Sequence, residues 1–462
     1  MTHQFHPSVL REYDIRGVVG STLGEGDAYA VGRGFATRVR AAGGTRVAVG
    51  YDGRLSSPAL EAALVRGLVD GGVAPVRIGL SSTPMLYYAE AVLEVDGGIQ
   101  VTGSHNPPDH NGFKLALAHQ PFFGDDIRDL AQLAETEGAW SAVDDEPPLI
   151  GEAEVMDLYV KRLLAGYSGG AFRIAWDCGN GASGPVIERL TAQLPGEHHL
   201  LYTQVDGRFP NHHPDPTEDS NLADLRALVL EKGLDFGVAF DGDGDRIGAV
   251  DGEGRVIRAD QLLGLLIEPV LRAEPGATIV ADVKASQALF DRIAALGGEP
   301  YMWKTGHSQM KAKMHETGAP LGGEMSGHIF FAHLWYGFDD AHYAAIRLMG
   351  AVRALGGSLT ALRRAMPDPV NTPDLRLPVA EDRKFAVIDE VIERLTAVGA
   401  DVNLTDGARV TTPDGWWLLR ASHTQAMLTA RAEAADETAL GRLLDAIDDQ
   451  LGQSGVALLP RS

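Results

Sequence analysis

Short apolar runs alternate with stretches of helical spacing through most of the chain. From about Arg46, Val47-Ala48-Val49-Gly50-Tyr51 reads as a strand, and Leu60, Ala63, Leu64 and Leu68 share one face of a helix over 58–68. Ala74 to Leu80 is strand-like, Met85 to Leu93 helix-like and Gly98 to Thr102 strand-like again, a βαβαβ pattern. It recurs. Phe172 to Trp176 opens a second unit, with a helix over Pro185 to Leu194, a strand near Leu200 to Val205, a helix over Leu222 to Leu230 and a strand over Phe236 to Phe240. Ala277 to Ala281, Ala288 to Leu296 and Pro300 to Trp303 form a third, as strand, helix and strand. The repeat is one of pattern, not of letters. After Pro367-Asp368-Pro369 the pattern changes. A strand over Leu375 to Val379 and a helix over Phe385 to Val398 precede strands at 402–404, 409–411, 416–420 and 426–431, and a helix over Ala439 to Leu451 closes the chain. This predicts three similar α/β domains, at 1–150, 151–255 and 256–368, and a C-terminal α+β domain at 369–462 with a mostly antiparallel sheet.

Composition narrows the class. With 462 residues, 45% hydrophobic and 22% charged, the chain is an ordinary globular protein too long for one core. Cys178 is its one cysteine, so no internal disulfide is possible and a reducing compartment fits. The N-terminal MTHQFHPSVLREYD lacks a signal-peptide pattern, and no run of about 18 apolar residues exists to span a membrane. A cytoplasmic protein without membrane contact is expected. The net charge of −23 disfavours nucleic acid, and it would repel an anionic substrate unless Arg and Lys cluster locally.

Two loops carry candidate chemistry. The apolar run Gly98-Ile99-Gln100-Val101 turns abruptly at Gly103-Ser104-His105-Asn106-Pro107, where glycine permits a sharp turn and proline stops the strand. That places Ser104 on an exposed strand-end loop as a candidate nucleophile or phosphate carrier, with an ordinary polar turn as the alternative. The second loop, Asp241-Gly242-Asp243-Gly244-Asp245-Arg246, follows the run Phe236 to Phe240. In an extended loop its alternate carboxylates point one way and suit a hard cation such as Mg²⁺. An EF-hand is excluded, because Arg246 and Gly252 stand where that loop wants Gly and Glu. The spacing of His212, His213 and Cys178 supports no zinc site.

Five motifs occur in one order: Glu12-Tyr13-Asp14-Ile15-Arg16-Gly17, TGSHNP at 102–107, DGDGDR at 241–246, Gly323-Glu324-Met325-Ser326-Gly327-His328 and Arg420-Ala421-Ser422-His423-Thr424. Through them the whole chain resembles the α-D-phosphohexomutase superfamily, and within it the bacterial phosphomannomutase/phosphoglucomutase group. The resemblance implies four domains in a heart-shaped arrangement around a central cleft. It implies phosphorylation of Ser104, one Mg²⁺ held by Asp241, Asp243, Asp245 and a phosphoryl oxygen on Ser104, and catalytic roles for Arg16, His105, Lys114 and Arg246. Glu324, Ser326 and His328, with Tyr13, Lys284 and His307, would face the sugar. Arg420, Ser422, His423 and Thr424 would grip its phosphate. The family commonly has Asn where this chain has His423. The implied reaction interconverts hexose 1- and 6-phosphates of glucose or mannose, with the 1,6-bisphosphate as intermediate and activator, in a monomer or weak homo-oligomer. A metal-dependent phosphatase and a non-catalytic phosphosugar binder are the rivals.

Overall fold

The computed structural model describes residues 2–136, 140, 146–423 and 425–457. Four sheets organise it, of seven, five, four and six strands. The first runs Ile15–Val18, His110–Leu117, Gly97–Val101, Arg46–Tyr51, Ala74–Leu80, Gly151–Glu152, with Gln120–Phe122 paired to His110–Leu117. The second runs Val256–Ile257, Ile247–Asp251, Phe236–Phe240, Phe172–Asp177, Gly196–Leu201. The third runs Glu299–Trp303, Thr278–Asp282, Leu321–Gly323, Ile329–Phe331. Each combines parallel strands with an antiparallel return: Gly97–Val101 pairs antiparallel with His110–Leu117, Phe236–Phe240 with Ile247–Asp251, and Leu321–Gly323 with Ile329–Phe331.

The three loops that carry the motifs are therefore the same connection in three sheets. Each leaves the end of a parallel strand and turns back into an antiparallel one, at 102–109, 241–246 and 324–328. A strand end is where an α/β sheet presents its ligand loops. The fourth sheet is antiparallel throughout, with Gly415–Ala421 between Ala408–Thr412 and Met427–Ala434, and Arg420 lies near the end of that strand.

Packing holds the loops in register. One apolar cluster joins Met85 and Leu86 of the first sheet's helices to Trp176 and Phe240 of the second and Ile279 and Phe331 of the third. Val283, Trp416 and Leu418 tie the last domain to the third. Arg409, stacked 3.7 Å from the Trp416 ring, donates to the carbonyls of Val283 and Ala285 across that junction.

The structure departs from the sequence reading in places. The strand expected near Leu200 to Val205 is Gly196–Leu201. Tyr202 takes a positive φ of 53° and Asn180 bonds across the loop that follows, which ends the strand early. A helix over Glu25–Ala41, unread from the pattern, packs on Ser57–Asp70. No helix among the described residues is long and apolar enough to cross a membrane.

Candidate active site

Ser104 is buried, at 1% exposure, not on an exposed loop as its sequence context suggests. The loops from the first and second sheets close over it. Its own φ is 49°, a left-handed conformation that costs a non-glycine residue on the order of 1–3 kcal/mol. Gly103 serves a different need from the turn expected of it. A Cβ there would lie 2.4 Å from Arg54 Nε, so glycine admits a guanidinium under the loop. Ser104 Oγ donates to Asp241 Oδ2 at 2.8 Å and lies 3.2 Å from His105 Nδ1. Burial, then Arg246 and Arg16, push the His105 imidazole well below its usual range, so it is neutral at pH 7.

The three carboxylates converge as expected, although by a turn and not by an extended loop. Asp241 Oδ1 accepts from the backbone N–H groups of Gly244, Asp245 and Arg246, which folds the segment around it, and Gly244 takes the positive φ of 78°. Asp243 Oδ2 accepts from Thr83 at 2.6 Å and from Lys114 Nζ at 2.8 Å, and the Thr102 oxygen lies 3.1 Å away. Lys114 also donates to Asp245 Oδ2. Burial opposes its charge, but Asp243 and Asp245 hold its pKa well above the lysine range; an ammonium so held donates and does not take a proton. Burial and the two neighbouring carboxylates raise Asp241 well above the usual carboxylate range, while Lys114 keeps Asp243 below it against burial.

The residues fit a hard cation. Asp243 Oδ1 and Asp245 Oδ1 are buried with no hydrogen-bond partner, and ligand atoms of all three aspartates lie within 4.8 Å of one another. Three carboxylate oxygens are the donor set that Mg²⁺ or a similar ion takes.

Arg246 Nε donates to His328 Nε2 at 3.0 Å, so that nitrogen carries a lone pair. His328 Nδ1 lies 3.0 Å from Asp339 Oδ2 and 3.6 Å from Asp245 Oδ1. Arg16 pairs with Asp14 and donates 2.8 Å to Asn106, which brings the N-terminal loop onto the Ser104 loop.

The far side of the site joins three domains at Thr305-Gly306-His307. The Tyr13 hydroxyl donates to the Thr305 carbonyl at 2.7 Å, and Thr305 N donates to Asp406 Oδ2 at 3.1 Å. Gly306 N donates to Glu324 Oε1 at 2.5 Å, and the Ser326 hydroxyl to Glu324 Oε2 at 2.9 Å. Burial pushes His307 well below its usual range, with Lys311 acting the same way, and its ring centroid is 5.6 Å from that of His328. Lys284 pairs with Asp374 at 3.1 Å. Arg420 Nε donates to Asp406 Oδ2 at 2.9 Å, and His423 Nε2 lies 3.4 Å from Asp406 Oδ1. Burial works against the Asp406 charge, but Arg420 and His423 hold its pKa at about 2. The His423 ring lies 6.3 Å from that of Tyr13 and 5.9 Å from that of Phe385. Ser422 is buried beside Arg420, and Thr424 lies outside the described residues.

The structure brings the predicted residues into two groups. One gathers Ser104, His105, Arg16, Lys114, the aspartates, Arg246 and His328. The other gathers Tyr13, His307, Glu324, Ser326, Arg420 and His423. Sequence reasoning missed Arg54, Thr83, Asp339, Asp374 and Asp406, which hold these groups in place, and gave Thr102 no role although it opens the TGSHNP motif. Of those missed, Arg54 alone carried a signal, a cation in the glycine-containing strand end Gly50-Tyr51-Asp52-Gly53-Arg54.

Models of the four phosphoglucomutase/phosphomannomutase domains match the chain: α/β/α domain I at residues 8–139, domain II at 157–254, domain III at 258–370 and the C-terminal domain at 375–450. A phosphomannomutase/phosphoglucomutase of Pseudomonas aeruginosa is 43% identical over 446 residues, covering 96% of this chain and 95% of that protein. The chain belongs to the phosphoglucomutase/phosphomannomutase family. A phosphoglucomutase of Neisseria meningitidis is 41% identical over 94% of this chain and 95% of its own length. The crystal structure of a family protein from Burkholderia thailandensis superposes with a TM-score of 0.93 at 41% identity, covering 99% of this chain and all of that one.

Proposed function

We propose that this protein interconverts hexose 1-phosphates and hexose 6-phosphates of the glucose or mannose series. The observation that carries the reading is Ser104, strained and buried, with Oγ 2.8 Å from Asp241 in a carboxylate cluster. Ser104 is the phosphoryl carrier. The sugar's free hydroxyl attacks the phosphorus of phospho-Ser104, the P–O bond to Oγ breaks, and a 1,6-bisphosphate forms. The proton that the hydroxyl loses is the one that the departing Ser104 Oγ takes up, and neutral His105, 3.2 Å from Oγ, is placed to relay it. The bisphosphate turns end for end, and its other phosphoryl group returns to Ser104 Oγ. For that step the serine proton has an acceptor in place in neutral His105, while Asp241 Oδ2 is the oxygen left for the ion. Arg246 and Lys114 meet charge that develops on the transferring group. Mg²⁺ bound by Asp241, Asp243 and Asp245 would neutralise phosphate charge at Ser104. Glu324 and Ser326 suit two adjacent hydroxyls, such as O3 and O4, which change places when the sugar flips.

A coupled assay with glucose 1-phosphate and mannose 1-phosphate, each with a trace of the 1,6-bisphosphate, tests the reading. Formation of 6-phosphate without inorganic phosphate is expected; stoichiometric phosphate release would assign a phosphatase instead. Excess chelator is expected to stop turnover and Mg²⁺ to restore it, and undiminished turnover in chelator would remove the metal from the mechanism.

Arg420 is proposed to hold the non-reacting phosphate in both orientations. Arg420→Ala is expected to raise KM for 1- and 6-phosphates alike, by the roughly 1.5–3 kcal/mol of a charge-assisted hydrogen bond. KM measured in both directions checks it, and an effect on one direction alone contradicts a shared grip.

A further inference from the structure

One cation lies under the Ser104 loop and has no part in the chemistry described above. Arg54 is 1% exposed, and its guanidinium reaches four backbone carbonyls of a single loop. Nη2 donates to Ser104 O at 2.7 Å and Asn106 O at 2.6 Å, and Nη1 to Pro107 O at 2.5 Å and His110 O at 2.9 Å. Its counter-ion grips the same loop from the other side. Asp52 Oδ2 lies 3.2 Å from Arg54 Nε and accepts from Gly103 N at 3.1 Å and from the Thr102 hydroxyl at 2.8 Å. Thr102 Oγ1 in turn accepts from Ser104 N at 2.8 Å.

We propose that Arg54 is the positioning residue for Ser104, a planar fork that holds the carbonyls of 104–110 inward so that Oγ faces the carboxylate cluster. This rests on reading Ser104 as the phosphoryl carrier. Converging carbonyls repel one another, and a left-handed serine relaxes unless its surroundings over-determine it. A guanidinium has five donors in a rigid plane and satisfies all four carbonyls at once. A lysine ammonium has three rotatable donors and no plane, so it cannot. The surroundings are cut to this side chain. Gly103 has no Cβ because one would lie 2.4 Å from Arg54 Nε and 2.5 Å from its Cζ. The Phe209 ring, from the second domain, covers the guanidinium at 5.2 Å. Arg54 also places a buried positive charge directly behind the residue that would carry the phosphate, in a chain of net charge −23.

The test uses the full chain as Arg54→Lys and Arg54→Ala. Four quantities are read: melting midpoint, kcat and KM in the mutase assay, intact mass after incubation with glucose 1,6-bisphosphate, and rescue by millimolar methylguanidinium. Misplacing a reacting atom by about 1 Å costs on the order of 100-fold in rate. Both folded variants are expected to lose about that much kcat, with KM within about threefold, because the phosphate and hydroxyl grips lie elsewhere. Methylguanidinium is expected to restore at least about tenfold in Arg54→Ala and nothing in Arg54→Lys, a response that a loss of packing does not produce. Native kcat in a folded Arg54→Lys overturns the proposal. So does a loss of activity in both variants that follows the unfolded fraction and is not rescued, or failure of both to fold with and without methylguanidinium. The wild-type mass experiment separates the two readings. Phosphate mapped away from Ser104 sinks the carrier assignment itself. Phosphate on Ser104 with unimpaired transfer in the Arg54 variants sinks only the positioning role.

Discussion

Ser104→Ala is expected to abolish a phosphorylated species and nearly all turnover while leaving the fold intact. Purified wild-type protein should carry a component about 80 Da heavier than the sequence mass, and peptide mapping should place it on Ser104. The substitution removes one hydroxyl from a loop whose backbone bonds to Arg54, Asp52 and Thr102 do not involve that oxygen. Alanine must still adopt φ near 49°, which is no harder for it than for serine. The melting midpoint should therefore stay close to wild type. Turnover should fall by on the order of 10⁴-fold or more, the scale of losing a covalent carrier. Sugar-phosphate affinity should persist, since Arg420, Glu324 and Ser326 are untouched. Retained turnover, or a heavy species that survives in Ser104→Ala, would contradict the carrier assignment.

The parts of the site that could be read in the sequence were those a short segment encodes by itself. Ser104 and the aspartates sit in strand–turn segments whose glycines, prolines and alternation are local. The return strands escaped notice because their patterns are poor. His110–Leu117 buries Asn111 and Lys114 among apolar neighbours, and Ile247–Asp251 ends in a buried aspartate. The helix over Glu25–Ala41 was hidden by Gly32 and Gly34, residues that weaken a helix. Gly32 is there for packing: a Cβ would lie 2.3 Å from the Leu64 carbonyl of the neighbouring helix, and one at Gly67 would lie 2.2 Å from Tyr29 O. The partners of the site residues are distant in sequence. Asp339 meets His328 by way of a separate loop, Asp406 meets Arg420 across a hairpin, and Thr83 meets Asp243 between domains. No local pattern marks an aspartate as the partner of a residue it reaches only after folding. The exposure of Ser104 was misread for the same reason, since the loop that covers it belongs to another sheet.

Lys114→Met is expected to make the protein's stability depend on divalent cations. Lys114 is 2% exposed, and its ammonium is the positive charge that bonds both Asp243 and Asp245. Methionine keeps much of the stem and removes the charge, leaving two buried carboxylates without that partner. Breaking a buried ion pair from one side costs roughly 3–5 kcal/mol, because the remaining charge is uncompensated. A divalent ion bound to the triad compensates the same charge, and at about 100-fold excess over its Kd it stabilises the folded state by roughly 2.7 kcal/mol. In chelator the variant should melt well below wild type; in saturating Mg²⁺ most of the gap should close, while wild type shifts less. Melting curves at constant ionic strength check this, because they separate a bound ion from general screening. Turnover should remain on the order of 10²- to 10³-fold down even with Mg²⁺, since one donor to the developing charge is gone. An equal Mg²⁺ shift in both proteins would mean that the ion binds away from the carboxylates Lys114 pairs with. A variant as stable as wild type in chelator would mean that the triad tolerates its charge without the lysine. Recovered stability without recovered turnover is the decisive combination, because it assigns the ion to charge neutralisation at the triad and the ammonium to a further role that the ion cannot replace.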